Sequence, residues 1–183
     1  MAASGSDQHL LALLRDPLRR EEGFRQLMDQ YQDRLYRMIH RMTRSEDDTR
    51  DVLQETLVKV LLNADRFKEN SSLYTWLYRI AVNESITFLK KRNRQMTSEL
   101  DPAQHEQQDA GVGWTDREVQ AVLKTAIEAL PDKQRIVFNL RYFEELGYQQ
   151  MSEILDTTVG ALKASYHHAV KKIENHLQTV HIS

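Results

Sequence analysis

The side chains best suited to chemistry lie in residues 71–94, SSLYTWLYRIAVNESITFLKKRNR. On a helix, one series at three- and four-residue steps shares a single side: Trp76, Arg79, Asn83, Ile86 and Lys90. An aromatic ring, an amide and cations along one groove suit unpaired nucleic-acid bases, which need a stacking surface and neutralised phosphates. The alternative makes Trp76 a core residue and the basic end a solvated helix terminus: Lys90, Lys91, Arg92 and Arg94. Taken by itself, the segment favours this alternative.

A second set of polar side chains is acidic and follows Ser45. This serine and the three acids after it are typical of a helix start, with a capping hydroxyl and negative charge at the positive end of the dipole. One face of the predicted helix is apolar, and the other carries Asp51, Gln54 and Glu55, with Val58 one turn on. A contact with a partner protein and an ordinary solvated face are equally open interpretations.

Residues 148–177 have the pattern of a helix-turn-helix. A short helix that buries Met151 and Ile154 precedes a tight turn at Asp156, a residue type that tolerates left-handed backbone, and Thr158 caps a longer helix. A recognition helix must present donors to base edges and cations to phosphates. One candidate, Arg141, lies on the helix predicted near residues 132–145. The candidates on the outer face of the longer helix are Lys163, Ala164, Ser165, His167, His168 and Lys171. An ordinary helical hairpin is the alternative on pattern alone.

The sequence contains no recognisable catalytic or metal-binding constellation. The absence of cysteine excludes disulfides, thiol catalysis and Cys-containing zinc sites. His167 and His168 are adjacent and point in different directions on a helix, so they cannot chelate one ion together. No Gly-rich phosphate loop and no local Ser/His/Asp grouping occur. We therefore expect no enzyme, no metal and no cofactor.

Composition predicts an all-α scaffold for these side chains. The 183 residues are 40% hydrophobic and 28% charged and include only 6 Gly and 3 Pro, which is typical of a soluble, mostly helical protein. No apolar run reaches the ~18 residues of a transmembrane helix. The N-terminus lacks the apolar region of a signal peptide. We expect no membrane insertion and a cytoplasmic location.

Residues 96–114, MTSELDPAQHEQQDAGVGW, interrupt the helical pattern and predict a flexible linker. Two small helical domains flank it, residues 8–95 and 115–183, and helices are predicted near 115–129, 132–145, 148–155 and 159–177. In the first domain, apolar periodicity predicts two buried faces. One comprises Phe24, Leu27, Met28, Tyr31, Leu35, Met38 and Ile39, and the other Leu73, Leu77, Ile80, Ala81 and Phe88.

The order of these motifs resembles bacterial RNA polymerase sigma factors of the extracytoplasmic-function (ECF) group. DVLQETLVKVLLNADRFKENSSLYTWLYRIAVNESITFLKKR is similar to their second conserved region, and ALPDKQRIVFNLRYFEELGYQQMSEILDTTVGALKASYHHAVKKI to their fourth. The resemblance covers about residues 20–95 and 115–175. Three motifs identify the family only in combination and in this order: the helix containing QET, the segment TWLYRIAVN and the pair LP. Each motif alone is weak evidence for it. ALKASYHHAV further resembles the version found in Bacteroidetes.

The resemblance implies a transcription initiation factor that binds core RNA polymerase, directs it to promoters and assists promoter opening. The resemblance implies that this chain docks on a coiled coil of the polymerase through Asp51, Gln54 and Glu55. The implied contacts with the single-stranded minus-ten element are Phe67, Lys68, Ser71, Trp76, Arg79 and Asn83, with Lys90, Lys91, Arg92 and Arg94 on phosphates. The implied contacts with the duplex minus-thirty-five element are Arg141, Lys163, Ala164, Ser165, His167, His168 and Lys171.

Some positions depart from the family pattern. Ser165 and His168 stand where many members carry arginine, and Ala164 replaces a usual serine, so we expect an altered upstream sequence and weaker duplex binding. Asp156 replaces the usual glycine of the turn, which implies mild strain. Many members are held by an anti-sigma factor, so the resemblance adds such a protein to the expected partners.

Two other classes of function were weighed against this one. A stand-alone helix-turn-helix regulator acting as a dimer predicts self-association and duplex binding without polymerase, but it leaves the WLYRIAVN helix and the acidic helix without a role. A helical protein-interaction module predicts no promoter preference and leaves the basic helix ends unexplained.

Overall fold

The structure, a computed structural model, describes residues 5–67, 71–96 and 116–181. All regular elements within these ranges are helical, as predicted: α1 (Gly5–Arg15), α2 (Arg20–Thr43), α3 (Glu46–Asn63), a 3-10 turn (Ala64–Arg66), α4 (Leu73–Met96), α5 (Asp116–Glu128), α6 (Asp132–Tyr142), α7 (Tyr148–Leu155) and α8 (Val159–His181). None of the helices in these ranges has the length and apolarity that a membrane crossing requires.

The chain divides into two compact units, consistent with the predicted two-domain fold. Of the described residues, those up to Arg92 together with Ser152–Asp156 form the first unit, and the others form the second. The predicted linker falls almost wholly outside the described residues, since α4 continues to Met96 and α5 begins at Asp116. The predicted domain limits therefore stay predictions.

In the first unit, α1 crosses α2 at Gly23. A Cβ at this position would lie 2.8 Å from the backbone nitrogen of Leu14, so only glycine permits so close an approach. Arg20 reinforces the crossing because its Nε donates a hydrogen bond to the Leu14 carbonyl at 3.0 Å. The buried residues of α1 on this side are Leu10, Leu11, Leu13 and Leu14.

The predicted buried faces of the first unit are present, and that of α4 is wider than predicted. Leu27, Leu35, Met38 and Ile39 are buried on α2, whereas Phe24, Met28 and Tyr31 are half-buried. On α4 the predicted Leu73, Leu77 and Ala81 are buried, and Ile80 and Phe88 are half-buried. The additional buried residues are Thr75, Tyr78, Val82, Ser85 and Leu89. Since α4 contacts both α2, through Arg34 and Tyr74, and α3, through Lys59 and Glu84, more of its surface is covered than one stripe.

Hydrogen bonds confirm the predicted start of α3 and identify the start of α4. Ser45 Oγ accepts a hydrogen bond from the Asp48 backbone amide at 3.3 Å. Ser72 Oγ accepts one from the Thr75 amide at 3.1 Å. Each hydroxyl satisfies an amide that has no partner inside its own helix, which fixes where α3 and α4 begin.

In the second unit, α5 and α6 pack against α8 around the core residues Ala126, Ile127, Leu130, Phe138, Ala169 and Ile173. The turn between α7 and α8, where the chain passes from Asp156 of the first unit to the second, is as predicted: Asp156 has a left-handed φ of 49°, and Thr158 Oγ1 accepts from the Ala161 amide at 3.3 Å. Two details differ. Helix α6 ends at Tyr142 rather than at 145, because the chain turns through Glu145 at a φ of 53°. Helix α8 continues to His181 rather than ending near residue 177.

Candidate nucleic-acid and protein interfaces

The outer side of α3 carries what we name the acidic face, Asp51, Gln54 and Glu55, and all three side chains are exposed. Among the residues that the structure describes, Asp51 and Glu55 have no ion-pair partner, whereas Glu46 and Asp47 on the same helix pair with Arg50 at 3.0 and 3.4 Å. The carboxylates of the acidic face are therefore available to a partner.

An apolar groove adjoins the acidic face. It has a volume of about 260 Å³ and is lined by Phe24, Arg50, Leu53, Gln54, Leu57, Val58 and Leu61. Val58 and Leu62, one turn apart on α3, are 45% and 72% exposed. Exposed aliphatic side chains beside carboxylates can bury apolar area against another protein and fix its orientation by charge. The geometry therefore suits a protein partner.

The outer side of α4 carries a second surface, the α4 ridge, defined as Trp76, Arg79, Asn83, Lys90 and Lys91. Trp76 is half-buried and the other four side chains are exposed, whereas Ile86 of the predicted series is half-buried; the role of this side as a nucleic-acid surface stays a prediction. The acid on this part of the helix, Glu84, is turned toward α3, where Lys59 Nζ binds it at 2.6 Å. The ridge is therefore a cationic strip with an aromatic ring at one end.

The two aromatic residues among the implied minus-ten contacts, Phe67 and Trp76, have their rings in contact. Phe67 and Trp76 have ring centroids 5.0 Å apart at an angle of 40°. Phe67 is only 5% exposed, so it supports Trp76 and offers little surface of its own. Ser71, from the same predicted loop, is half-buried, and Lys68 lies outside the described residues.

Arg92 is bound within the protein, unlike its neighbours Lys90 and Lys91. Its Nη1 donates to the Thr43 carbonyl and to Asp48 Oδ2, both at 3.1 Å. These contacts join the end of α4 to the end of α2 and the start of α3. Arg92 thus has a structural role that the sequence reasoning missed, because the basic run in which it lies gives no sign of which cation turns inward.

In the second unit, the α8 face carries the predicted duplex contacts. Lys163, Ala164, His167, His168 and Lys171 are exposed, and Ser165 is half-buried. Arg141 on α6 is half-buried, and its Nη1 donates to the Leu146 carbonyl at 2.9 Å, which directs the guanidinium toward the start of α7. The face is thus cationic at both ends, with small and imidazole side chains between.

Tyr148, the first residue of α7, is a further candidate that the sequence reasoning missed. The Arg141 guanidinium lies 5.1 Å from its ring centroid, and Lys163 Nζ lies 5.7 Å from it. One ring therefore contacts two predicted DNA-binding cations, at distances where cation–π attraction acts. An aromatic residue at the first position of a helix-turn-helix was the available signal. Within the described ranges, no group of His, Asp or Glu side chains could hold a metal ion.

Comparisons with known proteins decide the family. Residues 27–95 match the model of Sigma-70 region 2, and residues 120–173 match that of Sigma-70, region 4. The ECF RNA polymerase sigma-E factor of Haemophilus influenzae is 30% identical over 169 residues, which cover 86% of this chain and 89% of that protein. The chain belongs to the ECF sigma factors. ECF sigma factor SigW of Bacillus subtilis is 28% identical over 172 residues, 86% of this chain and 90% of its own.

Two solved structures share the fold. The sigma factor RpoE of Bartonella quintana, crystallised with the anti-sigma factor NepR, superposes with a TM-score of 0.68 at 23% identity, covering 85% of this chain and 96% of that one. CnrH, in complex with the cytosolic domain of CnrY, superposes with a TM-score of 0.68 at 18% identity. The match covers 95% of this chain and 98% of CnrH.

This ECF sigma factor is therefore a transcription initiation factor that binds core RNA polymerase and promoter DNA. The stand-alone regulator is not favoured. The region 2 match contains the acidic face and the α4 ridge, and the region 4 match contains the α8 face. Its resemblance to the Bacteroidetes type stays a prediction.

Proposed function

We propose that three surfaces divide the work of promoter recognition and opening. The acidic face docks on the coiled coil of core polymerase, the α4 ridge captures the minus-ten element as single strand, and the α8 face with Arg141 holds the minus-thirty-five duplex. The observation that supports this most is the α4 ridge, where a tryptophan, an amide and lysines without an ion-pair partner among the described residues lie on a helix whose nearest acid is turned away.

Trp76 supplies the free energy that opposes re-pairing of the strands. Stacking of a base on an aromatic side chain contributes about 1–3 kcal/mol, and one step of duplex stacking amounts to about 1.4 kcal/mol. One captured base thus offsets about one base-pair step, while Arg79 and Asn83 meet its edges. Lys90, Lys91 and Arg94 neutralise phosphates. Contacts of Phe67, Lys68, Ser71 and Arg92 with this strand stay predictions.

The protein performs no chemistry of its own and acts in the cytoplasm with the polymerase. Its domains, residues 8–95 and 115–183, are tethered by residues 96–114. The tether makes the second DNA contact intramolecular only when both promoter elements are correctly spaced. Bartonella quintana RpoE was solved with an anti-sigma factor and CnrH with the cytosolic domain of CnrY, which supports an anti-sigma factor as a further partner of this chain.

Charge reversal tests the docking role. Asp51→Arg should reduce the affinity for core polymerase at least about tenfold, because the new positive charge would repel the positive charge that Asp51 is proposed to meet on the polymerase. Asp33→Arg, on the exposed side of α2, is the matched control and should bind as the wild type does. Equal binding of core polymerase by the two variants, measured by fluorescence anisotropy of the labelled full chain, would refute the assignment of the acidic face.

A further inference from the structure

Arg15, the last residue of α1, binds the turn that follows α3. Its Nε donates to the Ala64 carbonyl at 3.2 Å, and Nη2 donates to the Phe67 carbonyl at 2.6 Å. The two acceptors belong to the first residue of the 3-10 turn Ala64–Arg66 and to the residue that follows the turn. A planar, permanently charged guanidinium holds two carbonyls in a fixed fork, and such bonds are stronger than those between neutral groups.

This contact fixes the residue that supports Trp76. The amide of Phe67 donates to the Ala64 carbonyl at 3.4 Å, and its own carbonyl accepts from Arg15. The peptide groups on both sides of Phe67 are thus held, which sets the direction of the ring that packs 5.0 Å from Trp76. Without Arg15, the Phe67 carbonyl loses its charged donor.

Helix α1 is itself rigidly placed, so Arg15 acts from a fixed point. The close crossing at Gly23 leaves no space for even a methyl group. Arg20, adjacent in space, donates to the Leu14 carbonyl at 3.0 Å and lies 3.8 Å from Asp65 in the same 3-10 turn. Two arginines from the α1–α2 junction therefore bind the segment that leads to the aromatic pair.

We propose that Arg15 is a positioning residue for promoter opening: it holds Phe67 so that Trp76 presents its ring to an unpaired base. The proposal rests on the proposed function of the α4 ridge. It gives α1 a role in DNA capture, although α1 lies outside the residues that match region 2. Removing Arg15 should weaken single-strand capture while leaving the acidic face, and hence polymerase binding, intact.

The test compares full-length variants in the holoenzyme. Arg15→Gln removes the charge and the fork, and Arg15→Lys keeps the charge but reaches fewer carbonyls. Arg19→Gln is the control, since the Arg19 side chain, within the part of the chain that the structure describes, forms only an exposed pair with Glu22 at 3.0 Å. The probe is a promoter fragment transcribed with the wild-type chain, made both as duplex and with an unpaired minus-ten segment. Binding to core polymerase and to each fragment is measured, with Trp76→Ala as reference.

We expect Arg15→Gln to bind the unpaired fragment about tenfold more weakly, Arg15→Lys to be intermediate and Arg19→Gln to match the wild type. With Trp114→Phe leaving Trp76 as the single tryptophan, its quenching by acrylamide should increase in Arg15→Gln. If Arg15→Gln does not fold, Arg15→Lys carries the same readouts.

Distinct results overturn the two proposals. If Trp76→Ala binds the unpaired fragment as the wild type does, the proposed role of the α4 ridge fails. If Trp76→Ala is impaired but the Arg15 variants are not, the inference alone fails. If core polymerase and the unpaired fragment are lost by the same factor, Arg15 only maintains the fold, and the inference also fails.

Discussion

Replacing Arg92 with glutamine tests which cation of the basic run belongs to the fold. Arg92 Nη1 donates at 3.1 Å to both the Thr43 carbonyl and the Asp48 carboxylate. The side chains of Arg92 and Asp48 are 26% and 27% exposed, so the pair is largely shielded from water. The substitution removes both bonds and leaves the carboxylate without this cation.

The structure sets the size of the effect. A hydrogen bond to a charged group contributes about 1.5–3 kcal/mol when buried, and an exposed ion pair contributes less than about 1 kcal/mol. For this shielded pair we expect the free energy of unfolding to fall by about 2 kcal/mol. With a urea dependence of about 2 kcal/mol per molar, the midpoint falls by about 1 M.

The assay is urea unfolding of the full chain carrying Trp114→Phe, so that the emission of Trp76 reports on the first unit. Lys91→Gln is the matched control, because Lys91 is exposed and has no partner among the described residues. It should change the free energy of unfolding by less than about 0.5 kcal/mol. Equal urea midpoints for Arg92→Gln and Lys91→Gln would refute the structural role of Arg92 and favour its implied role as a phosphate contact.

Three further predictions follow from single contacts. Gly23→Ala should lower the free energy of unfolding by about 1–3 kcal/mol, because the new Cβ meets the α1 backbone at 2.8 Å. Gly160→Ala is the control and should not destabilise the chain, because its Cβ would have nothing within 4 Å. Equal effects of the two substitutions would contradict the close packing of α1 on α2. Tyr148→Leu should weaken binding of a minus-thirty-five duplex up to about tenfold while Tyr148→Phe retains it, and equal losses would exclude the ring as the cause. Burial, and then the Asp7 carboxylate, raise the pKa of Tyr31 from 10.0 to about 12. The stability from neutral Tyr31 is therefore complete below pH 10 and lost as the pH rises to about 12, so unfolding measured across this range should show a smaller decline for Tyr31→Phe, and an unchanged decline would contradict the shift.

Local signals predicted most of the fold. The steps between Val52, Leu57 and Val60 identified the buried side of α3, since apolar residues of one helix face must share the core. The capping serines and Asp156 were also predictable, because a cap or a left-handed turn depends on a few neighbouring residues. The exposed side of α4 followed from the same periodicity.

Contacts between distant residues were not predictable from these signals. Arg92 and Asp48 are 44 positions apart, and Arg15 and Phe67 are 52 apart. A single sequence gives no sign that such residues meet, so Arg92 was grouped with the exposed lysines and Arg15 was not singled out. The resemblance implies a contact of Phe67 with the minus-ten strand; its side chain is 5% exposed and packs against Trp76, and the contact with DNA stays a prediction.

In-vitro transcription with core RNA polymerase from a compatible bacterium, with and without this protein, tests the central claim most directly. The template is a pool of genomic fragments, and transcript ends are mapped. The account predicts discrete new start sites that share two spaced upstream elements, and their loss with Asp51→Arg. No new transcripts, together with specific duplex binding by the protein alone, would contradict it.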